Sequence, residues 1–267
     1  LLEQFDPDTV FDFTRSKGNR MNTKLKAILF DMGSTLLEFE NYTWDVLGRK
    51  GAERGYEFLG QKNMNLPEFE EFSKLLADEF LKARSQVQEN LKEFRVEKVV
   101  WDLFNILNLS TSDGLYDSFI EVYYKPITDQ LTLIDGAEDV LRYFKERNLK
   151  IGLVSNTIFP ERFHLRELKR FGVYPYLDNY LFSSRLGVRK PHPQIFLKAL
   201  SELNVKPSQA VFVGDRLIED VGGAQKVGMK GILKYHEGRD YSAPITPDAQ
   251  IVELKELPET VLSLFKN

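Results

Sequence analysis

Cysteine is missing from this chain of 267 residues. Its absence excludes disulfides, a thiolate metal site and a thiol nucleophile. Histidine is scarce: three residues lie far apart, which leaves no zinc cluster of the usual kind. No apolar run reaches the about 18 residues that a membrane helix needs. Neither sign of charge dominates, with 40 acids against 36 bases and a net charge of −4. Nucleic acid and anionic membranes would not be attracted overall, so neither is expected as a partner. What is there is an ordinary globular composition, 42% apolar and 28% charged. The length suits one large domain or two unequal ones.

The first twenty residues, LLEQFDPDTVFDFTRSKGNR, carry acids early and lack a signal-peptide apolar core. The cytoplasm is therefore the default compartment. These residues differ from the rest of the chain. Met21 opens MNTKLKAILFD, which leads into a first strand, so 1–20 read as an N-terminal extension and Met21 as the natural start.

Beyond Asp31 the pattern is helical for some ninety residues. Phe69, Phe72, Leu76, Phe80, Ala83 and Val87 recur at spacings of three and four, which predicts a helix over 67–89. Pro67 suits its first turn. The same pattern predicts helices over 95–107 and 115–124. From about 131 the character changes. Helices near 136–148, 160–171, 193–203 and 217–227 lead into LKIGLVSN, NYLFSS, AVFVGD and KGILK, all strand-like. A last short strand is expected near 249–252. Alternating strands and helices predict a doubly wound parallel α/β sheet with right-handed crossovers. The strand before Asp31 must join it, so the helical block is an insertion after the first strand. The boundaries are then 21–37 plus 131–267 for the core and 38–130 for a helical cap.

In such a sheet ligands bind beyond the carboxyl ends of the strands. The polar residues falling there are Asp31, Ser155, Asn156 and Asp215, with Asp220 five residues on and Lys190 beyond the third strand. Asp31 and Asp215 are hard oxygen donors of the type Mg²⁺ prefers. Ser155 and Asn156 offer a hydroxyl and an amide, and Lys190 a compact positive charge. A carboxylate nucleophile, a cation and donors for anionic oxygens describe phosphoryl transfer through an aspartyl-phosphate. Each residue also has a plainer reading. Asp31 can cap a turn, Ser155 and Asn156 can build one, and Asp215 and Asp220 suit a helix N-terminus. Lys190 alone is a surface lysine. Arg185, Arg189 and Arg216 are either solvated or in touch with an anionic substrate.

Four stretches, ILFDMGSTL, GLVSNT, GVRKPHPQIF and VFVGDRLIED, occur in this order. Together they resemble the motifs of the haloacid dehalogenase superfamily, and the helical insertion stands where that family's first type of cap does. The resemblance implies a Mg²⁺-dependent hydrolase of small phosphorylated metabolites. Asp31 would be the nucleophile. The Gly33 carbonyl would be a metal ligand beside Asp31, Asp215 and Asp220. Thr35, Ser155 and Asn156 would hold the motif loop and the phosphate oxygens, and Lys190 would neutralise the nucleophile and the phosphoryl group.

One position departs from the family pattern. Most of its phosphatases carry Asp two residues after the nucleophile, as acid and then base; here that residue is Gly33. General acid–base assistance is worth about 10²–10⁴ in rate. Two readings remain: a phosphatase that needs less acid help, or a binding or regulatory protein that kept the fold and lost turnover. A third, 2-haloacid dehalogenation, would have Asp31 attack carbon without a metal. Such relatives usually have a Tyr-Gly pair after the nucleophile and lack the acidic GD, and this chain matches neither feature.

Overall fold

The computed structural model describes residues 25–111 and 114–265, without the side chains of 86–89. The expected extension at 1–20, the start at Met21 and the Val87 side chain lie outside the described residues. The chain begins with β1 (Ala27–Phe30), four apolar residues that are all fully buried. It passes through a two-residue strand, β2 (Leu37–Glu38), into four helices: α1 (Trp44–Gln61), α2 (Phe69–Asn90), α3 (Val96–Ile106) and α4 (Leu115–Gln130). It returns through β3 (Thr132–Leu133), which pairs antiparallel with β2. Then come α5 (Ala137–Lys145), β4 (Lys150–Ser155), α6 (Glu161–Arg170), β5 (Asn179–Phe182), a short α7 (Ser183–Leu186) and α8 (Pro193–Leu203). The chain ends with β6 (Ala210–Gly214), α9 (Gly223–Lys226), β7 (Lys230–Lys234), β8 (Ala249–Ile251) and α10 (Leu257–Leu264).

Six strands form one parallel sheet in the order β5-β4-β1-β6-β7-β8. Both faces are covered, so the central strands β1 and β6 are apolar throughout rather than alternating. Within β1, Ile28 and Phe30 join the larger core with α5, α6 and the inserted helices. Ala27 and Leu29 face the opposite way, onto Ile195, Phe196 and Ala199 of α8. Burying each large side chain here stabilises by about 1.5–3 kcal/mol. The register brings the strand ends together. Phe30 stands beside Leu153 of β4 and Val213 of β6, so the three central strands end within two residues of one another.

The doubly wound parallel sheet expected from the sequence is present. Several boundaries differ, each for a physical reason. The 67–89 helix begins at Phe69, and Pro67 lies ahead of it, its carbonyl accepting from the Tyr56 hydroxyl at 2.9 Å. The 115–124 helix runs on through Pro126 to Gln130, because Ile127 and Gln130 are buried and packing outweighs proline's lost hydrogen bond. The 217–227 helix opens as a π-turn over Leu217–Gly222 before α9. α1 had no counterpart among the expected helices, and its buried face explains why: Gly51, Ala52 and Gly55 stand between Leu47 and Leu59. These small residues give no apolar signal, yet they admit α4. A Cβ at Gly51 would lie 2.7 Å from the Tyr123 carbonyl oxygen, and one at Gly55 would overlap the Phe119 ring. No described helix is long and apolar enough to cross a membrane.

Candidate active site at the carboxyl edge of the sheet

Asp31 follows directly on β1, and its N–H donates to the Val213 carbonyl at 2.9 Å, which fixes it against β6. Asp215 follows β6 in the same way. Asp220 sits in the π-turn and accepts from the Arg216 N–H at 2.9 Å. Gly214 is required between them: a Cβ there would overlap the Asp220 carboxylate. All three acids are buried, and ligand oxygens from each lie within 4.8 Å of one another.

Lys190 reaches into this cluster from the loop before α8. Its Nζ donates to Asp31 Oδ1 and to Asp220 Oδ1, each at 2.6 Å, and the residue is 2% exposed. Asn156, just past β4, holds the lysine's backbone from both sides. Its Nδ2 donates to the Lys190 carbonyl at 3.0 Å, and its Oδ1 accepts from the Lys190 N–H at 2.8 Å. Ser155 is buried at the end of β4. Thr35 is buried in the loop after Asp31, and its Oγ1 has no hydrogen-bond partner among the described residues.

Gly33 lies in that same loop, where the Leu36 and Leu37 N–H groups both donate to the Met32 carbonyl and Ser34 takes a φ of 51°. Position 33 has space. A Cβ there would meet only the Phe39 ring, at an ordinary 3.7 Å. The missing side chain is therefore not a steric demand of the fold.

The electrostatics stem from burial. Loss of water pushes the Asp220 carboxyl up to about 8; Lys190 opposes this, and the charges of Asp31 and Asp215 add to it. Burial also raises Asp215, with Asp31 acting the same way and Arg239 against it. For Lys190, burial works to lower the pKa, but Asp220 and Asp31 outweigh it and the ammonium is held above its ordinary range. Four acids, Asp31, Asp215, Asp220 and Glu40, face three paired cations, Lys190, Arg239 and Arg216, so acids exceed bases in the cluster. A hard divalent cation would offset that excess, and clustered carboxylates are the oxygen donors it takes. The donor set therefore fits a magnesium-like ion.

The structure thus brings Asp31, Asp215, Asp220, Lys190 and Asn156 together, with Ser155, Thr35 and Gly33 on the adjoining strand end and loop. It also adds residues that sequence reasoning missed. Arg239, from the loop between β7 and β8, binds Asp215, Glu40 and Ser34. Glu38 accepts from Ser34 Oγ at 3.1 Å and lies 3.3 Å from His236 Nε2. Glu93, between α2 and α3, accepts from Ser183 Oγ at 2.7 Å, and burial raises its pKa. The only available signal was position, since the loop after β7 also opens at the carboxyl edge. Of the three arginines left open, none is free: Arg185 pairs with Glu161, Arg189 with Glu93 and Arg216 with Glu40.

Acids and a buried lysine thus gather at the carboxyl edge of a parallel α/β sheet. Residues 25–228 match the family model for haloacid dehalogenase-like hydrolases, and the chain belongs to that family. A glyceraldehyde 3-phosphate phosphatase of Pyrococcus furiosus is 32% identical over 87% of this chain and 94% of its own. Another, of Methanopyrus kandleri, is 32% identical over 54% of this chain and 60% of its own length, so the match spans less than two thirds of that relative. Among solved structures, a HAD phosphatase from Thermococcus onnurineus superposes with a TM-score of 0.61 at 27% identity, over 89% of this chain and 98% of that one. A 2-haloacid dehalogenase from Pseudomonas syringae pv. Tomato shares the fold, with a TM-score of 0.68 at 24% identity over 91% and 100%.

Proposed function

We infer that this chain is a cytoplasmic, Mg²⁺-dependent phosphatase that hydrolyses a small phosphorylated metabolite through an aspartyl-phosphate on Asp31. The observation that carries the reading is the buried Asp31–Lys190–Asp220 pairing beside Asp215. Lys190 holds Asp31 Oδ1 at 2.6 Å, which fixes the carboxylate and leaves its other oxygen to act. That oxygen attacks phosphorus as the ester P–O bond breaks, and the leaving oxygen takes the electron pair. Water then attacks phosphorus in the aspartyl-phosphate, releasing phosphate and restoring the Asp31 carboxylate. Ser155, Asn156 and Thr35 supply donors for the phosphoryl oxygens. The unpartnered Thr35 hydroxyl is consistent with that role. Asp31, Asp215, Asp220 and the Gly33 carbonyl would hold Mg²⁺, which when bound supplies positive charge to the transferring group.

No acid stands at position 33, so the leaving oxygen departs with its charge or takes a proton from the substrate or from outside the motif. Good leaving groups are favoured accordingly. The helical insertion, 38–130, acts as a cap that closes over the site and selects the substrate. Relatives named as glyceraldehyde 3-phosphate phosphatases support a small phosphorylated metabolite as substrate.

The dehalogenase reading is weaker on charge. Attack on carbon without a metal would leave the clustered, buried acids Asp31, Asp215 and Asp220 with no metal ion to offset their mutual repulsion. A screen of phosphorylated metabolites for phosphate release, with Mg²⁺ and with EDTA, is the test. Release that needs Mg²⁺ is expected. Full activity in EDTA would return the case to a metal-free reaction, and no release from any substrate would favour the binding protein.

A further inference from the structure

Arg239 is a cation at this edge that no motif contains, and it bonds directly to one of the clustered acids. Its side chain is 12% exposed, and each of its three nitrogens is used. Nε donates to Asp215 Oδ2 at 2.6 Å. NH1 and NH2 fork onto Glu40 at 2.8 and 3.0 Å, and NH2 also reaches Ser34 Oγ at 3.2 Å. A guanidinium so occupied has no nitrogen left without a partner, which argues against a role in gripping the substrate. Its planar fork is instead suited to fixing two carboxylates relative to each other. Both guanidiniums near Asp215 address the same oxygen: Arg216 Nε lies 3.8 Å from Oδ2. Oδ1 receives no hydrogen bond from either.

Glu40 is held in turn. Its N–H donates to Glu38 Oε1 at 2.8 Å, and the Trp44 side chain at the start of α1 helps lower its pKa. The chain of contacts runs from the first turn of the insertion, through the linker, to an acid of the cluster.

We propose that Arg239 is a positioning residue for the metal site: it fixes Asp215 with one oxygen presented to the cation, and Glu40, on the linker into the inserted helices, anchors it. This rests on the reading of Asp31, Asp215 and Asp220 as metal ligands. Groups that orient metal ligands typically contribute 10–100-fold to metal affinity. The opposite arrangement, in which the guanidinium occupies the cation's place, predicts the opposite sign.

Direct Mn²⁺ binding to the full chain, followed by electron paramagnetic resonance, tests the inference without relying on turnover. Arg239→Gln should weaken binding by about 10–100-fold. Glu40→Gln should weaken it less, because the guanidinium stays but loses half its anchor. Arg239→Lys should recover only part of the loss, since an ammonium cannot span both carboxylates. Thermal melts without metal accompany each variant. If Arg239→Gln melts far below the wild type, Arg239→Lys and Glu40→Gln carry the comparison. Wild-type or tighter affinity in Arg239→Gln, or in both of those milder variants, would overturn the inference. Loss of binding in Asp215→Asn alongside full binding in Arg239→Gln would overturn it while leaving the metal site standing. Absence of binding by the wild type would remove the metal reading and this inference together.

Discussion

The carboxyl edge of the sheet and the interior of the helical insertion are both buried, and they are built from opposite materials. At the sheet edge three carboxylates and one ammonium lie out of water within hydrogen-bond or near-contact distance. Among the described residues of α1–α4, no Asp, Glu, Lys or Arg is buried. Their interior is Phe72, Val99, Leu103, Phe104, Phe119 and Tyr123, with Phe104 and Phe119 edge to face at 5.4 Å. Packing of that kind is favourable in itself and tolerates swaps that keep volume. Buried like charges oppose folding unless something compensates them. A region that keeps them is shaped by what it binds and does, whereas the aromatic interior is shaped by what fits.

The most direct challenge to this contrast is at Asp31. Asp31→Asn keeps shape and removes the proposed nucleophile, so phosphate release should fall below about one per cent of wild type, since a lost nucleophile costs more than a lost hydrogen bond. Circular dichroism should show the fold intact. Persistent release would mean that the charged edge is not where chemistry happens.

Gly33→Asp probes the charged edge from the other side, adding a carboxylate where the site has room for one. A Cβ there stands at an ordinary 3.7 Å from the Phe39 ring. Rates on poor leaving groups should rise by up to about 10²-fold. A plot of log rate against leaving-group pKa for substituted phenyl phosphates should be steep in the wild type and flatter in the variant. A shallow wild-type slope would point to a proton donor elsewhere.

A change of packing should act differently. Gly51→Ala forces a methyl group against the backbone oxygen of Tyr123 and should destabilise by about 1–3 kcal/mol. Urea unfolding measures this. A stability unchanged within error would mean that α1 and α4 are less closely fitted than the structure has them.

The smallest effect belongs to a residue lying between the two regions. His164 is fully buried in α6 beside Phe182 and Tyr124, and burial lowers its pKa to about 3. Below pH about 6.5 the unfolded chain binds a proton that the folded chain refuses. Stability is therefore fully present above that pH and lost as pH falls, on the order of 1 kcal/mol by about pH 5.5. His164→Phe should flatten this acid limb, compared by urea midpoints from pH 7 to 5. A limb as steep as wild type would assign the sensitivity to other groups.

The same contrast explains what was legible in the sequence. Asp31, Ser155, Asn156 and Asp215 could be placed because each ends an apolar run, and strand order alone puts such ends together. Lys190 and Asp220 came with their neighbours in the motifs. Arg239, Glu40 and Glu93 sit in loops or linkers with no period, so only the folded chain reveals where they point. α1 escaped notice because glycine and alanine make its contact face. β2 and β3 are two residues each, too short for alternation to register.

Those two short strands also hold the ends of the insertion together. Leu37 pairs with Leu133 and Glu38 with Thr132, so the chain leaves the sheet domain and comes back at one spot. Just outside, Asn41 Nδ2 donates to the Gln130 carbonyl at 2.7 Å and Gln130 Nε2 to the Phe39 carbonyl, stitching the two crossings together. The ninety-odd residues between them form a parenthesis in the gene: both brackets lie side by side in space. A two-residue Asn-Gly turn is the connection that joins adjacent antiparallel strands, so Glu38 could be spliced to Thr132 without stretching either one. A lineage can lengthen, exchange or delete what stands inside the brackets while the strand order outside is left untouched.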